Sequence, residues 1–128
     1  MSDIMLNQVS DQEIQNEYKK RFFLKAGDKL SGSQDAAKHL TVLLSNKTNI
    51  EQFAVIFLNA ANCIITSKIM FKGSLTSSAV YPREIIKKAL ELDAASLIVG
   101  HNHPSGETNP SRDDIQITNK INDACKTV

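Results

Sequence analysis

Three short segments that predict strands place the strongest constraint on how this chain can fold. The run Phe53–Leu58 is continuous, aromatic and β-branched, which is typical of a strand buried on both faces. The turn Asn59–Asn62 separates it from a second run, Cys63–Met70, so these two runs predict a β-hairpin. A third run, Ala95–Gly100, predicts another buried strand. Buried strands need helices to cover them, and the rest of the sequence supplies helical patterns.

The predicted helices flank the strands. Ser33 or Asp35 is predicted to cap a helix that runs to about Ser45. Pro82 opens an amphipathic helix between the second and third strands, and Ser111 is predicted to cap a last helix. Strand, helix and strand in this order form a βαβ crossover, which predicts that the third strand pairs in parallel with its neighbour. The sequence therefore predicts a single α/β domain with a mixed sheet flanked by helices.

Length and charge narrow the class of protein. The 128 residues suffice for one core, with residues 1–34 predicted as an N-terminal arm or short helix and residues 35–128 as the domain. A net charge of +1 excludes a strongly basic nucleic-acid clamp as the whole function but leaves a local patch open. No apolar run reaches the roughly 18 residues of a membrane span, and the start of the chain does not resemble an export signal. We therefore expect a cytoplasmic protein without a membrane partner, whose Cys63 and Cys125 are reduced.

The segment after the third strand contains the residues most suited to chemistry. His101 and His103 are two positions apart, so in an extended backbone their side chains point to the same side. Pro104 and Gly106 then turn the chain, and Asp114 falls in the first turn of the last helix. Two histidines and a carboxylate, with a fourth position left for water, are typical of a catalytic zinc site. A well-capped turn without metal is the alternative, because the helix dipole alone favours Asp at that position.

The same segment resembles a known motif. The pattern H-x-H-P-S-G followed by P-S-x-x-D, over residues 101–114, resembles the JAMM (MPN+) metalloprotease motif. The stretches Tyr81–Ile85 (YPREI) and Ile98–Gly106 (IVGHNHPSG) resemble the RadC family of bacterial JAB-domain proteins. This resemblance covers roughly residues 35–128 and implies a JAB/MPN-like (cytidine-deaminase-like) fold.

The resemblance also implies a role for each matching residue. It implies one Zn²⁺ per chain, held by three ligands: His101, His103 and Asp114. It further implies an upstream glutamate that acts on water at the zinc. Glu51 fits this role because it directly precedes the first apolar run, and Glu84, at the start of a helix, is the alternative. Ser111 resembles the family serine that orients water or stabilises an oxyanion.

The activity implied is zinc-dependent hydrolysis of a peptide or isopeptide bond, with a polypeptide substrate. A metal-binding module of DNA repair or recombination without peptidase activity, acting through protein partners, is the alternative, and direct nucleic-acid binding is left open. A scaffold with a purely structural metal is disfavoured by the complete ligand set. Asn102 and Ser105 are expected to order the loop or to hydrogen-bond the ligands. Because the family's sheet continues past this point, we expect further residues, or a second copy in a homodimer, to supply the final edge.

Overall fold

The computed structural model describes residues 9–44, 50–73, 81–102 and 112–128. Within these ranges four helices and three strands are present, which confirms the α/β class. In chain order the elements are α1 (Asp11–Phe22), α2 (Ser33–Leu43), β1 (Gln52–Leu58), β2 (Ile64–Lys72), α3 (Pro82–Glu91), β3 (Ser96–His101) and α4 (Arg112–Lys126). None of the described helices is long and apolar enough to cross a membrane.

The three strands form one sheet in the order β2-β1-β3. β1 and β2 pair antiparallel, which confirms the predicted hairpin. The hairpin register shifts twice, between Phe53 and Ala54 and between Phe57 and Leu58, so the strands are not paired at a constant offset. These irregularities decide which residues lie opposite one another at the far end of the hairpin.

The prediction that the third strand pairs in parallel is wrong. β3 pairs antiparallel with β1, with Phe53 opposite His101 and Leu58 opposite Ser96. The crossover through α3 does make β3 run in the same direction as β2, but it carries the chain past β1, which then lies between them. Local pattern specifies the direction of a crossover strand but not how many strands it skips.

β1 lies at the centre of the core, and all of its residues are buried. Because side chains alternate along a strand, β1 contributes to a separate cluster on each face of the sheet. One cluster joins β1 to α3 and α4 and consists of Phe53, Val55, Phe57, Ile85 and Ile121. The other lies on the side of α2 and consists of Leu30, Ala36, Ile56, Leu58 and Ile64. We refer to these sides as the α3/α4 face and the α2 face.

The helix starts follow the predictions only in part. α3 begins at Pro82 as predicted, with Tyr81 as its N-cap. α2 has Gly32 as its N-cap, so neither Ser33 nor Asp35 caps it as predicted. The Asp35 carboxylate instead accepts a hydrogen bond from the Ser31 backbone N–H at 3.1 Å, which explains why an acidic residue occupies the first turn.

A buried histidine joins the segment after α1 to α2 and the sheet. His39 of α2 is fully buried. Its Nδ1 accepts a hydrogen bond from the Leu24 backbone N–H at 3.1 Å, and its Nε2 lies 2.7 Å from the Ser67 hydroxyl oxygen of β2. Since Nδ1 is an acceptor, the neutral ring carries its proton on Nε2 and donates it to Ser67. Part of the predicted N-terminal arm is therefore packed onto the domain.

Candidate functional site

His101 is the last residue of β3 and is partly buried. It lies opposite Phe53 of β1, and the two rings are nearly parallel, with planes 7° apart and centroids 6.3 Å apart. The preceding residue, Gly100, faces α2, because an added Cβ there would lie 2.8 Å from a terminal carbon of Leu40. Strand alternation therefore places His101 on the α3/α4 face.

Glu51 directly precedes β1, and the antiparallel pairing brings this end of β1 beside the end of β3. Its carbonyl oxygen accepts a hydrogen bond from the Gly73 N–H at 3.0 Å, which continues the pairing with β2 by one step. Glu51 stands two positions before Phe53, so the alternation of an extended chain assigns it to the face that carries His101. The structure thus brings two of the predicted site residues to one end of the sheet and one face.

Asn102 connects the two strand ends directly. Its side-chain Oδ1 accepts a hydrogen bond from the Gln52 N–H at 2.5 Å, and its Nδ2 donates to the Ile50 carbonyl oxygen at 3.3 Å. Its own backbone N–H donates to the Gln52 carbonyl oxygen at 3.3 Å. Asn102 therefore holds the residues on both sides of Glu51. That Asn102 orders the loop or hydrogen-bonds the ligands stays a prediction; in the structure its side chain holds the start of β1.

Glu84, the alternative glutamate, lies in a different setting. It occupies the first turn of α3 and is exposed. A carboxylate oxygen lies 3.8 Å from the neighbouring Arg83 Nε, and its backbone N–H donates to the Tyr81 carbonyl oxygen as part of the helix start. Asn102, directly after β3, hydrogen-bonds the residues on either side of Glu51.

The remaining predicted site residues lie at or beyond the limits of the description. His103, Ser105 and Ser111 are outside the described residues, and Asp114 is described by its backbone alone, in the first turn of α4. Among the described residues no three His, Cys, Asp or Glu side chains form a group able to hold a metal. The predicted ligand set therefore stays a prediction.

The packing of α4 indicates which end of the sheet its first turn approaches. Ile121, near its middle, is buried in the α3/α4 cluster. Its second half, including Cys125, lines a groove of about 500 Å³ together with Ser96 and Leu97 at the start of β3. The second half of α4 therefore lies near the start of β3, and its first turn lies away from that end.

A row of aromatic rings that the sequence pattern did not reveal extends from His101 across the sheet. Phe53 lies 6.0 Å from Phe71 of β2, and Phe71 lies 6.4 Å from Tyr81 at the start of α3, measured between ring centroids. The Arg83 guanidinium lies over the Tyr81 ring at 5.8 Å. Phe53 lies opposite Phe71 only because the hairpin register is shifted. The sequence pattern does not show this shift, so it could not predict the row.

Comparison with known proteins defines the class. Residues 30–128 match the family described as the RadC-like JAB domain. This match covers most of the chain, and the chain belongs to that family. The JAB domain family includes hydrolases.

Several curated bacterial proteins are similar to this chain. The UPF0758 protein PBPRA0202 of Photobacterium profundum is 44% identical over 105 residues, covering 82% of this chain and 46% of that protein. The UPF0758 protein of Streptococcus gordonii is 46% identical over 100 residues, covering 78% of this chain and 44% of that protein. The chain thus spans less than half the length of the curated relatives it matches.

Proposed function

We propose that this domain is a zinc-dependent hydrolase of the JAMM type that cleaves a peptide or isopeptide bond. The observation that supports it most is the pair of Asn102 side-chain hydrogen bonds on either side of Glu51. They bring a carboxylate-bearing residue next to the strand end that carries His101. A hydrolytic metal site needs this juxtaposition, because a proton acceptor must lie within reach of the attacking water.

The metal would be held by His101, His103 and Asp114. Imidazole nitrogen and carboxylate oxygen are donors that Zn²⁺ accepts, and three protein ligands leave a position for chemistry. His103 follows Asn102 directly in the sequence, and the direction of α4 favours an approach of its first turn to the same end of β3. Bound Zn²⁺ would act as a Lewis acid that makes water more acidic and polarises a carbonyl oxygen.

The chain's own residues would move the proton. Glu51 would accept a proton from the attacking water and deliver it to the leaving amine. Ser111 would donate a hydrogen bond to the oxygen that becomes negatively charged in the transition state. Glu84 has no part in this proposal because it is exposed and belongs to the start of α3.

The substrate would be a polypeptide, recognised through surfaces and partners that the whole protein supplies. The proposed partners are proteins of DNA repair or recombination, or a second copy of the chain. The proposed location is the cytoplasm. The near-neutral charge favours a polypeptide over direct contact with DNA, because neutralising phosphates needs clustered Lys and Arg.

Two measurements on purified protein test the proposal. Metal analysis should find about one zinc per chain, and a double variant His101→Ala, His103→Ala should lose it. A peptide library incubated with zinc-loaded protein should yield cleavage products detected by mass spectrometry. Glu51→Gln should keep the metal and lower the cleavage rate by about 10²- to 10⁴-fold.

Glu84→Gln is the matched control and should cleave at the normal rate. Zinc retention in the histidine double variant would refute the ligand assignment, and loss of cleavage in Glu84→Gln would refute that of Glu51. Zinc-loaded protein that cleaves no peptide but binds duplex DNA tightly, with strong salt dependence, would favour the repair module instead.

A further inference from the structure

We infer that Asn102 is a positioning residue whose side-chain amide fixes Glu51 relative to the end of β3. The inference rests on the proposed role of Glu51 as proton acceptor and adds a residue through which the fold would control it. Asn102 itself touches neither substrate nor metal in this account.

The position of Glu51 explains why it needs such support. It is the residue just before β1, where a strand end would otherwise fray. The Gly73 N–H holds its carbonyl oxygen from the side of β2. Asn102 holds the two neighbouring residues, Ile50 and Gln52, from the side of β3. Glu51 is thus fixed from both flanking strands.

The Asn102 amide also replaces a backbone group of the ladder. Gln52 and Asn102 lie opposite one another, and the Asn102 N–H donates to the Gln52 carbonyl oxygen as in a regular antiparallel pair. The Gln52 N–H, however, donates to the Asn102 side chain. The backbone N–H of the buried Gln52 therefore stays satisfied although β3 ends at His101.

The residue type matters because the two contacts need opposite chemistry. Asn carries one acceptor and two donor hydrogens on a single planar group, so it can accept from Gln52 and donate to Ile50 at once. Asp has the same shape but only the acceptor when ionised, and Ala has neither. Asn102→Asp therefore removes the contact with Ile50, and Asn102→Ala removes both contacts.

Asn59 offers a matched control at the opposite end of β1. Its Oδ1 accepts hydrogen bonds from the Ala61 and Cys63 N–H groups, both at 2.9 Å. Asn59→Ala also removes two hydrogen bonds between a side chain and the backbone, but far from Glu51. Any effect shared by Asn59→Ala and Asn102→Ala reports general stability and not positioning.

The first test does not depend on activity. In NMR spectra, Asn102→Ala should speed hydrogen exchange at the Gln52 amide by at least about 10-fold and shift the side-chain carboxyl ¹³C signal of Glu51. Asn102→Asp should leave the Gln52 amide protected, and Asn59→Ala should change neither signal. Unchanged Gln52 exchange and an unchanged Glu51 signal in Asn102→Ala would overturn the inference, whether or not the protein hydrolyses peptides.

The second test uses zinc-loaded protein and the peptide cleaved fastest from the library. Asn102→Ala should lower kcat by about 100-fold with little change in KM or zinc content, because small misplacements of a catalytic group have such effects. In a Glu51→Gln background the same substitution should change kcat by less than about 3-fold. Equal losses in both backgrounds would show that Asn102 acts independently of Glu51. A normal rate for Glu51→Gln alone would instead refute the proposed function.

Discussion

The two described histidines, His39 and His101, lie on opposite faces of one sheet and show two uses of the same side chain. His39 is fully buried under α2, and both ring nitrogens take part in hydrogen bonds that join three segments. His101 ends β3 on the α3/α4 face, is only partly buried and lies against the Phe53 ring.

The difference separates a structural histidine from a candidate metal ligand. His39 uses Nδ1 to accept from Leu24, which leaves its proton on Nε2 for Ser67. That arrangement makes His39 a donor to the Ser67 hydroxyl and excludes it as the base of a Ser–His catalytic pair. Burial with complete hydrogen bonding indicates a structural role, whereas a strand end beside a carboxylate-bearing residue indicates a site.

The largest expected effect separates the two histidines by metal binding. His101→Ala should weaken zinc binding by more than about 100-fold, because it removes a proposed ligand. His39→Gln should bind zinc as the unaltered protein does, since it lies on the other face. Competition with a zinc chelator measures the zinc affinity of both variants. Equal affinities would contradict the assignment of His101, and not His39, to the metal site.

The second expected effect separates them by stability. His39→Ala should lower the free energy of unfolding by about 2–4 kcal/mol, because it leaves a cavity and removes the partners of Leu24 and Ser67. Gln34→Ala, an exposed change on the same helix, should stay within about 0.5 kcal/mol of the unaltered protein. Urea titration, monitored by circular dichroism, gives the unfolding free energy of both variants. A loss below 1 kcal/mol for His39→Ala, about the size of one hydrogen bond, would contradict the structural role.

The third expected effect is a dependence of stability on pH. Burial lowers the pKa of His39 below its usual value of 6.5, while the negative charge of Asp28 opposes that shift. The unfolded chain therefore takes up the proton at a higher pH than the folded one, so His39 supports the fold fully above pH 6.5. Its contribution is lost as the pH falls through the folded pKa, by at most about 1.4 kcal/mol per pH unit.

The comparison of His39→Gln with the unaltered protein isolates the contribution of His39 to the pH dependence of stability. The difference in unfolding free energy between the two should be constant above neutral pH and should shrink toward acid pH. A difference that is the same at about pH 7.5 and pH 5.5 would show that His39 has a similar pKa in both states.

The smallest expected effect concerns the contact between β3 and α2 on the α2 face. Gly100 directly precedes His101, and an added Cβ would lie 2.8 Å from the end of the Leu40 side chain. Because that flexible end can move, Gly100→Ala should cost about 1 kcal/mol and leave zinc binding unchanged. The cost should disappear when Leu40→Ala is combined with it, and thermal melts of the three variants measure this coupling.

Local sequence pattern was enough to predict the strands and the start of α3, and it placed the candidate site at one end of the sheet. The apolar run after Glu51 and the histidines after Gly100 mark two strand ends, and the antiparallel register brings those ends together. The start of α2 was predicted wrongly because Ser33 and Asp35 both favour caps, and Gly32 takes that place. The row of rings from His101 to Tyr81 could not be predicted, since it depends on two shifts of the hairpin register.

The sequence alone was enough to nominate His101, His103 and Asp114 as the proposed metal ligands, because residue type and spacing are properties of the chain. It also indicated that Phe53–Leu58 of β1 is buried, because a continuous apolar run on a strand favours burial of both faces. Tertiary structure decided the pairing of β3 with β1, since strand order depends on where α3 returns the chain. With that pairing it decided that Asn102 meets Ile50 and Gln52, about fifty residues earlier in the chain. Contacts at that separation follow from packing, which no local pattern encodes.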